Sequence, residues 1–423
     1  MKLNKSYLLS FPTRAMNFRD AMNVVEYEVV EEEIKHDEVV DFLKKRKLLD
    51  KPCLLNVEGK RVATNFVSSR ELVAKYLGVK KEELVKVLAK VESGDVSVRE
   101  MNYDELRDLN DLPIIKYFEG DGGRYITAGV VIACKDPENF STYNASIHRL
   151  MVVDEKKLAA RLVPPRHTYL LWRDAVEKGE ELEIAVCIGV HPLFMLASST
   201  RLPEGKEFYY AAGLMGGLEV SDVDGIYCPE SEVIIRGRIT AETVKEGPFV
   251  DITGTYDLVR DEPVVEVDKI YAKEDFIYYS ITPASKEHQI LMGLPAEPEI
   301  YKAVSKVCRV KNVVLTPGGR HWLHAVVQIE KRTEGDGKNA ILAAFAAHPS
   351  LKHVVVVDDD IDVYNYEDIE FAIATRFQAD RDLVVVSGAR GSSLDPSAKD
   401  NITAKMGIDA TMKGDRTKFK RVL

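Results

Sequence analysis

The spacing of apolar positions changes twice along the chain and divides it into three stretches. Up to residue 112, helical and strand-like spacings are mixed. A helical pattern over 37–48 carries Val39, Val40, Phe42 and Leu43, and a short buried strand follows at 52–57. Two more helices are expected near 69–78, opened by Ser68-Ser69-Arg70-Glu71, and at 81–91. Asn110-Asp111-Leu112-Pro113 marks a boundary. From Tyr125 the texture becomes short β-branched strands, at 125–134, 144–153, 183–188, 233–239 and 264–271. Turn clusters such as Asp121-Gly122-Gly123 and Asp136-Pro137-Glu138-Asn139 separate them, and helices are expected only at 167–176 and 207–216. Many short strands with few helices predict a β-barrel rather than a parallel sheet. A proline-rich passage from Thr282-Pro283 to Pro298 leads into renewed α/β alternation. Strands are expected there at 310–315, 353–357 and 383–387, helices at 338–348 and 367–376, and a polar, less regular tail beyond Asp395. The reading is an α/β chain of the α+β multidomain type, with domains at 1–112, 113–298 and 299–423.

Composition narrows the class. At 423 residues the chain exceeds one ordinary domain, and 45% apolar with 30% charged residues is that of a soluble globular protein. A net charge of -10 leaves no basic surplus for phosphates, which argues against a nucleic-acid partner. No apolar run approaches the ~20 residues needed to span a bilayer. The start, MKLNKSYLLSFPTRAMNFRD, resumes charge too soon for a secretory leader. Cys53, Cys134, Cys187, Cys228 and Cys308 are scattered without a C-x-x-C pair, which suits free thiols in a reducing cytoplasm.

Candidate chemistry begins with Lys245-Glu246-Gly247-Pro248-Phe249-Val250-Asp251. Strict strand alternation would put Glu246 and Asp251 on opposite faces, but the Gly-Pro turn breaks it and can bring both to one pocket. Two converging carboxylates make an acid/base device. Taken alone, the stretch also reads as a polar loop between strands. In Asn144-Ala145-Ser146-Ile147-His148-Arg149, alternation puts Asn144, Ser146 and His148 on one face and Arg149 on the other, which equally describes a half-exposed strand. Pro164-Pro165-Arg166-His167 opens a helix whose N-terminus attracts anions. Glu207 opens another, where an acid suits the helix dipole; with an Asn carbonyl and an imidazole it would also complete a mixed N/O site for Mn²⁺ or Mg²⁺. His321 and His324 lack the Glu of a metalloprotease pattern and read as structural. The acidic run 357–362 lacks the glycine and glutamate of a calcium loop and reads as a strand end that caps the next helix.

Six segments occur in an order that identifies a family. They are Gly120-Asp121-Gly122-Gly123-x-Tyr125-Ile126-Thr127, Asn144-x-x-Ile147-His148-Arg149, His167, Glu207-x-x-Tyr210, Glu246-Gly247-Pro248-Phe249-x-Asp251 and Lys405-Met406-Gly407-Ile408-Asp409-Ala410-Thr411. From about residue 16 onward the chain resembles the UbiD family of reversible decarboxylases, which use prenylated FMN. The resemblance implies an N-terminal α/β domain, a central split β-barrel like that of flavin reductases, and a C-terminal α/β domain. It places Asn144, His167 and Glu207 at the metal ligands, for Mn²⁺ and often K⁺ at the flavin phosphate. It places Thr127, Ser146, Ile147, His148, Arg149, Arg161, Leu162, Val163, Arg166 and Ser199 along the cofactor. Arg149, Glu246 and Asp251 match the catalytic Glu-Arg-Glu/Asp triad, with Asp251 protonating the product carbon. Arg149 would anchor the substrate carboxylate or hold the carboxylates ionised. Relatives that carry Glu at the second acidic position differ from this chain, where Asp251 is shorter.

The compact length resembles archaeal members that convert trans-anhydromevalonate 5-phosphate to isopentenyl phosphate. Arg166, Arg201 and Lys405 are candidates for the substrate phosphate by chemistry alone. Two other readings stand beside this one: an aromatic-acid decarboxylase acting on a 4-hydroxybenzoate, polyprenylated or not, and a split-barrel flavin reductase or FMN-binding protein. The expected partners are a small carboxylic acid, a flavin prenyltransferase as cofactor supplier, and further copies of the chain as a dimer or hexamer.

Overall fold

The computed structural model describes residues 17–422, which fall into two compact units. The first comprises the chain up to Lys81 and Val91–Leu291; the second comprises Glu82–Lys90 and the chain from Met292 onward. The reading of the first sixteen residues as no secretory leader lies outside the described residues. Among those described, no helix is long and apolar enough to cross a membrane, and the five cysteines are free.

A closed barrel dominates the first unit. The strands Val233–Glu246, Leu182–Ile188, Tyr125–Cys134, Tyr143–Val152, Lys157–Ala160 and Arg260–Ala272 pair antiparallel in that order. The last then pairs back on the first. Closure leaves no free edge among the six, and Asp104–Leu106 adds to the outside of Arg260–Ala272. The sequence-based expectation of a barrel holds, with two strands longer than expected. The first, Val233–Glu246, was expected to end at residue 239, yet Thr243 to Glu246 pair with Pro263 to Arg260, and Lys245 meets Asp261 at 2.8 Å across the ladder. Cross-strand charge pairs replace apolar alternation where this ribbon runs out into solvent. Beyond it, Phe249–Val250 and Tyr256–Asp257 form a small hairpin of their own.

Around the barrel, Glu28–Ile34, Cys53–Val57, Lys60–Thr64 and Ile277–Tyr279 form a four-stranded sheet. The strand Glu28–Ile34 was not expected: it is an edge strand with five of seven residues exposed, so its Glu-rich pattern carries no apolar face to read. Helix Arg70–Tyr76 starts where expected, capped by Ser69 Oγ accepting from Leu72 N at 3.2 Å. Pro192–Ser199 is an unexpected helix, buried nearly all round and therefore without the one-sided stripe that marks a surface helix.

The second unit is a five-stranded sheet in the order Arg309–Leu315, His324–Glu330, His353–Asp358, Ile402–Ala410, Leu383–Arg390, antiparallel at both edges and parallel in the middle. Period-two alternation sends Val354 and Val356 to a core with Ile300, Ala340 and Ile341, and Val355 and Val357 to another with Ile369 and Ala372. Two expectations are corrected here. The stretch beyond Asp395 is not irregular throughout: Ile402–Ala410 is an internal strand. Its pattern is masked because Lys405 and Asp409 are buried, the amine donating to the Pro349 and Leu351 carbonyls and Asp409 Oδ1 accepting from Thr411 Oγ1. The acidic run at 358–362 does not cap the next helix; Asn365 caps Tyr366–Arg376, while Asp358 and Asp360 pair with Arg376.

Candidate active site

The ribbon overhang brings three carboxylates to one guanidinium. Arg149, from Tyr143–Val152, donates through Nε to Glu246 Oε1 at 3.0 Å and through Nη2 to Glu246 Oε2 at 3.0 Å. The same Nη2 donates to Asp257 Oδ2 at 3.1 Å, and Nη1 lies 3.7 Å from Asp251 Oδ2. The expectation that the Gly-Pro turn gathers Glu246 and Asp251 therefore holds, with Arg149 between them. Glu246 is fully buried and also accepts from the Tyr125 hydroxyl at 3.1 Å, whereas Asp251 is 20% exposed. The Phe249 ring lies 4.4 Å from that of Tyr125, tilted by 47°, and 4.9 Å from the Arg149 guanidinium, which walls one side of the cluster with aromatic surface. Burial works against the charge of Arg149, but Glu246, Asp257 and Asp251 outweigh it and hold its pKa above the ordinary value.

Of the five N–H bonds of a guanidinium, three are taken here. The two on Nη1 face Asp251 at a distance too long for a hydrogen bond and remain available to an incoming anion.

The loop that carries Phe249 and Asp251 rests on the Gly120-Asp121-Gly122-Gly123 turn. Gly122 N donates to Pro248 O at 2.8 Å, and Asp121 Oδ2 accepts from Phe118 N at 2.9 Å. Asp121 Oδ1 is buried without a partner, and burial raises the carboxyl to about 6 against the pull of the Phe118, Tyr117 and Val250 backbone.

A second group forms around Thr168, at the start of helix His167–Glu177. Its hydroxyl meets Asn144 Nδ2 at 2.9 Å, Ser146 Oγ at 2.8 Å and His148 Nε2 at 3.0 Å. His148 Nδ1 donates to the Arg161 carbonyl at 3.0 Å, so Nε2 accepts from the hydroxyls, and burial keeps the ring below its ordinary pKa. His167 Nδ1 stands 3.4 Å from Glu207 Oε1. Glu207 Oε2 is buried without a partner, and burial raises this carboxyl despite His167. With the amide nitrogen of Asn144 committed to Thr168 and Ser146, one carbonyl, one imidazole and one orphaned carboxylate oxygen are left. That donor set fits a hard divalent cation such as Mn²⁺. Among the described residues no three His, Cys, Asp or Glu side chains are placed to hold a metal ion, so Asn144 would have to serve as the third donor beside His167 and Glu207.

The remaining expected cofactor residues divide. Arg161 Nη1 pairs with Glu262 at 2.6 Å and Leu162 N donates to the same carboxylate at 3.1 Å, joining both to the His148 group. Ile147 is half-buried, Val163 exposed, and Arg166 caps the His167 helix through its backbone only. Burial and the charge of Arg201 lower Arg166 to about 10. Thr127 Oγ1 is committed to Tyr117 and to Ile281 N, and Ser199 Oγ to the Met195 carbonyl. Lys405 is corrected as a phosphate candidate, because its buried amine is held by two backbone carbonyls in the second unit.

Sequence reasoning missed Asp257, Arg260 and His288. Arg260 clamps Asp257 with bonds of 2.6 and 2.7 Å and is the cross-strand partner of Glu246. His288 Nδ1 accepts from Ala284 N at 3.1 Å, so its neutral ring carries the proton on Nε2; burial holds it below its ordinary pKa, with Asp251 pulling it up and Arg149 pushing it down. Only the Asp257-x-x-Arg260 spacing was visible in advance, and nothing in it shows which strand it faces.

Two family patterns match this chain: the 3-octaprenyl-4-hydroxybenzoate carboxy-lyase (UbiD) Rift-related domain over residues 89–286, and the C-terminal domain of the same enzymes over 289–410. The chain is 62% identical, over the whole of both chains, to the anhydromevalonate phosphate decarboxylase of Archaeoglobus fulgidus. Among solved structures, the UbiD-class enzyme HmfF from Pelotomaculum thermopropionicum in complex with FMN superposes with a TM-score of 0.90 at 35% identity, covering 96% of this chain and 97% of that one. An evolved dimeric form of HmfF in complex with prFMN gives 0.87 at 32% identity, covering 97% of each.

Proposed function

Because the chain belongs to the UbiD family and is a carboxy-lyase, we propose that it removes CO₂ from trans-anhydromevalonate 5-phosphate and leaves isopentenyl phosphate. The 62% full-length identity to the Archaeoglobus enzyme carries the substrate assignment. Bound prenylated FMN supplies the electron sink that loss of CO₂ from an α,β-unsaturated acid requires. Asn144, His167 and Glu207 would hold Mn²⁺, with K⁺ as a second cation, and the Ser146 to Arg149 and Arg161 to Val163 segments, with Thr127, Arg166 and Ser199, would hold the flavin.

The protein's own work is orientation and proton delivery. The two free N–H bonds on Arg149 Nη1 receive the substrate carboxylate, while Glu246, steadied by Tyr125, fixes the guanidinium plane. Asp251 gives its proton to the carbon that CO₂ leaves. Arg166 and Arg201, two cations close enough to oppose each other's charge, are suited to the substrate phosphate. We read the chain as an N-terminal α/β domain (1–112), a flavin-reductase-like split barrel (113–298) and a C-terminal α/β domain (299–423). It works as a cytoplasmic homo-oligomer supplied by a flavin prenyltransferase.

The test is CO₂ release by protein loaded with prenylated FMN, offered anhydromevalonate phosphate and 4-hydroxybenzoate separately. Release from the first supports the assignment. Release from the aromatic acid alone overturns it, and release from neither favours a flavin-binding or reductase role.

A further inference from the structure

The acid cluster contains one more carboxylate than guanidinium. Arg149 and Arg260 stand against Glu246, Asp251 and Asp257. Its other neighbours do not change the count. Arg161 and Glu262 neutralise each other, as do Lys245 and Asp261. Tyr125, buried against Glu246, is held protonated, and burial keeps His288 in its neutral form. Asp121 reaches the cluster only through Tyr125 and the 248–250 backbone. With all five groups charged, the cluster therefore carries one net negative charge. Glu246 is sealed between Arg149 and Tyr125, and Asp257 is clamped on both oxygens by Arg260, whereas among the described residues the Asp251 carboxylate accepts only from its neighbour Ile252 N.

We infer that Asp257 and Arg260 are positioning residues for the proton donor: Asp257 fills the second bond of Arg149 Nη2, Arg260 cancels the charge of Asp257, and Asp251 is left beside the open Nη1 corner. Their effect is transmitted through Arg149. Asp257 draws the guanidinium charge away from Asp251, and Arg260 limits how far it does so. This inference rests on the proton-donor role proposed above for Asp251.

The test is the pH dependence of kcat in Asp257→Asn and Arg260→Gln. Removing the negative charge leaves more of the Arg149 field on Asp251, so the proton departs earlier and the alkaline limb of kcat moves down by about one pH unit. Removing the positive charge moves the limb up by a similar amount. The double variant, which loses one charge of each sign, and Asp257→Glu, which keeps its charge, bring it back towards the wild-type position. Lower kcat at every pH with the limb in place overturns the inference, since that is what a merely structural role predicts. If Asp257→Asn does not fold, the upward shift in Arg260→Gln and its absence in Arg260→Lys decide the matter alone.

A readout free of turnover separates this from the substrate assignment. In flavin-free protein with ¹³Cγ-labelled aspartate, the signal removed by Asp251→Asn titrates at lower pH in Asp257→Asn and at higher pH in Arg260→Gln. A wild type that releases no CO₂ from anhydromevalonate phosphate sinks the substrate while leaving that order of titrations intact. Identical titrations in all three proteins sink the inference.

Discussion

Gly122 lies so close to Gly247 that a β-carbon on the first would sit 2.2 Å from the carbonyl oxygen of the second. The contact explains why glycine stands there: the turn before the barrel is pressed against the backbone of the loop that carries the proposed proton donor. Gly122→Ala forces that loop away. Forced fits of this kind cost about 1–3 kcal/mol. A lowered melting temperature is expected together with a loss of kcat of at least tenfold, from displaced rather than altered acids. Unchanged kcat in a folded Gly122→Ala protein counts against the loop as the seat of catalysis.

Asp251→Asn and Glu246→Gln should fail in different ways. Asp251 is partly exposed and makes no hydrogen bond to Arg149, so its amide costs little stability. Loss of a positioned acid lowers kcat by about 10²–10⁴-fold. Glu246 is fully buried and doubly bonded to Arg149. Breaking a buried pair costs about 3–5 kcal/mol, so Glu246→Gln should show a clear fall in melting temperature beside its loss of CO₂ release. Equal stability of the two variants would contradict this division of roles.

Glu207 Oε2 has no protein partner. Glu207→Ala and His167→Ala should therefore purify with sub-stoichiometric Mn²⁺ by elemental analysis, and with less flavin by absorbance, while the apo-protein remains folded. Full manganese occupancy in both variants would remove them from the metal site.

Asp121 gives a pH signature that needs no substrate. Burial raises its carboxyl from 3.8 to about 6. The folded state thus holds this proton more tightly than the unfolded chain, so the stabilisation is complete below about pH 4 and is lost as pH rises through about 6, amounting to roughly 3 kcal/mol at most. Asp121→Asn keeps an acceptor for Phe118 N without an ionisation to oppose. Chemical denaturation across pH 4 to 8 should show the wild type losing stability over this range relative to the variant. Parallel curves would show that the buried carboxyl does not titrate there.

The barrel and the acid pair were legible in the sequence because each follows a local rule. Short β-branched runs between turns give the strands, and a Gly-Pro turn between two acids gives their convergence. Pairing register was not legible. That Glu246 stands opposite Arg260, and Phe249 opposite Asp257, follows from closure of the barrel and from the hairpin beyond it, so two of the five charged groups stayed hidden. Helix Pro192–Ser199 and strand Ile402–Ala410 escaped for opposite reasons: the helix is apolar on every side, and the strand carries a buried lysine and a buried aspartate satisfied by distant backbone and neighbouring hydroxyl groups. His288 lies far along the chain from Asp251, and only tertiary structure relates them.

Both strands of the barrel's closing seam end in the same overhang, and Glu246, Asp251, Asp257 and Arg260 all lie in it or at its two roots. Only Arg149 among the five charged groups belongs to another strand. One continuous stretch of chain, 246–260, therefore carries four of the five charged groups, and it is tied to the barrel below through Arg149 and Tyr125. Exchanging residues 246–260 between relatives, with Arg149 kept, would carry the proposed proton donor from one scaffold to another while the proposed metal ligands Asn144, His167 and Glu207 stay behind.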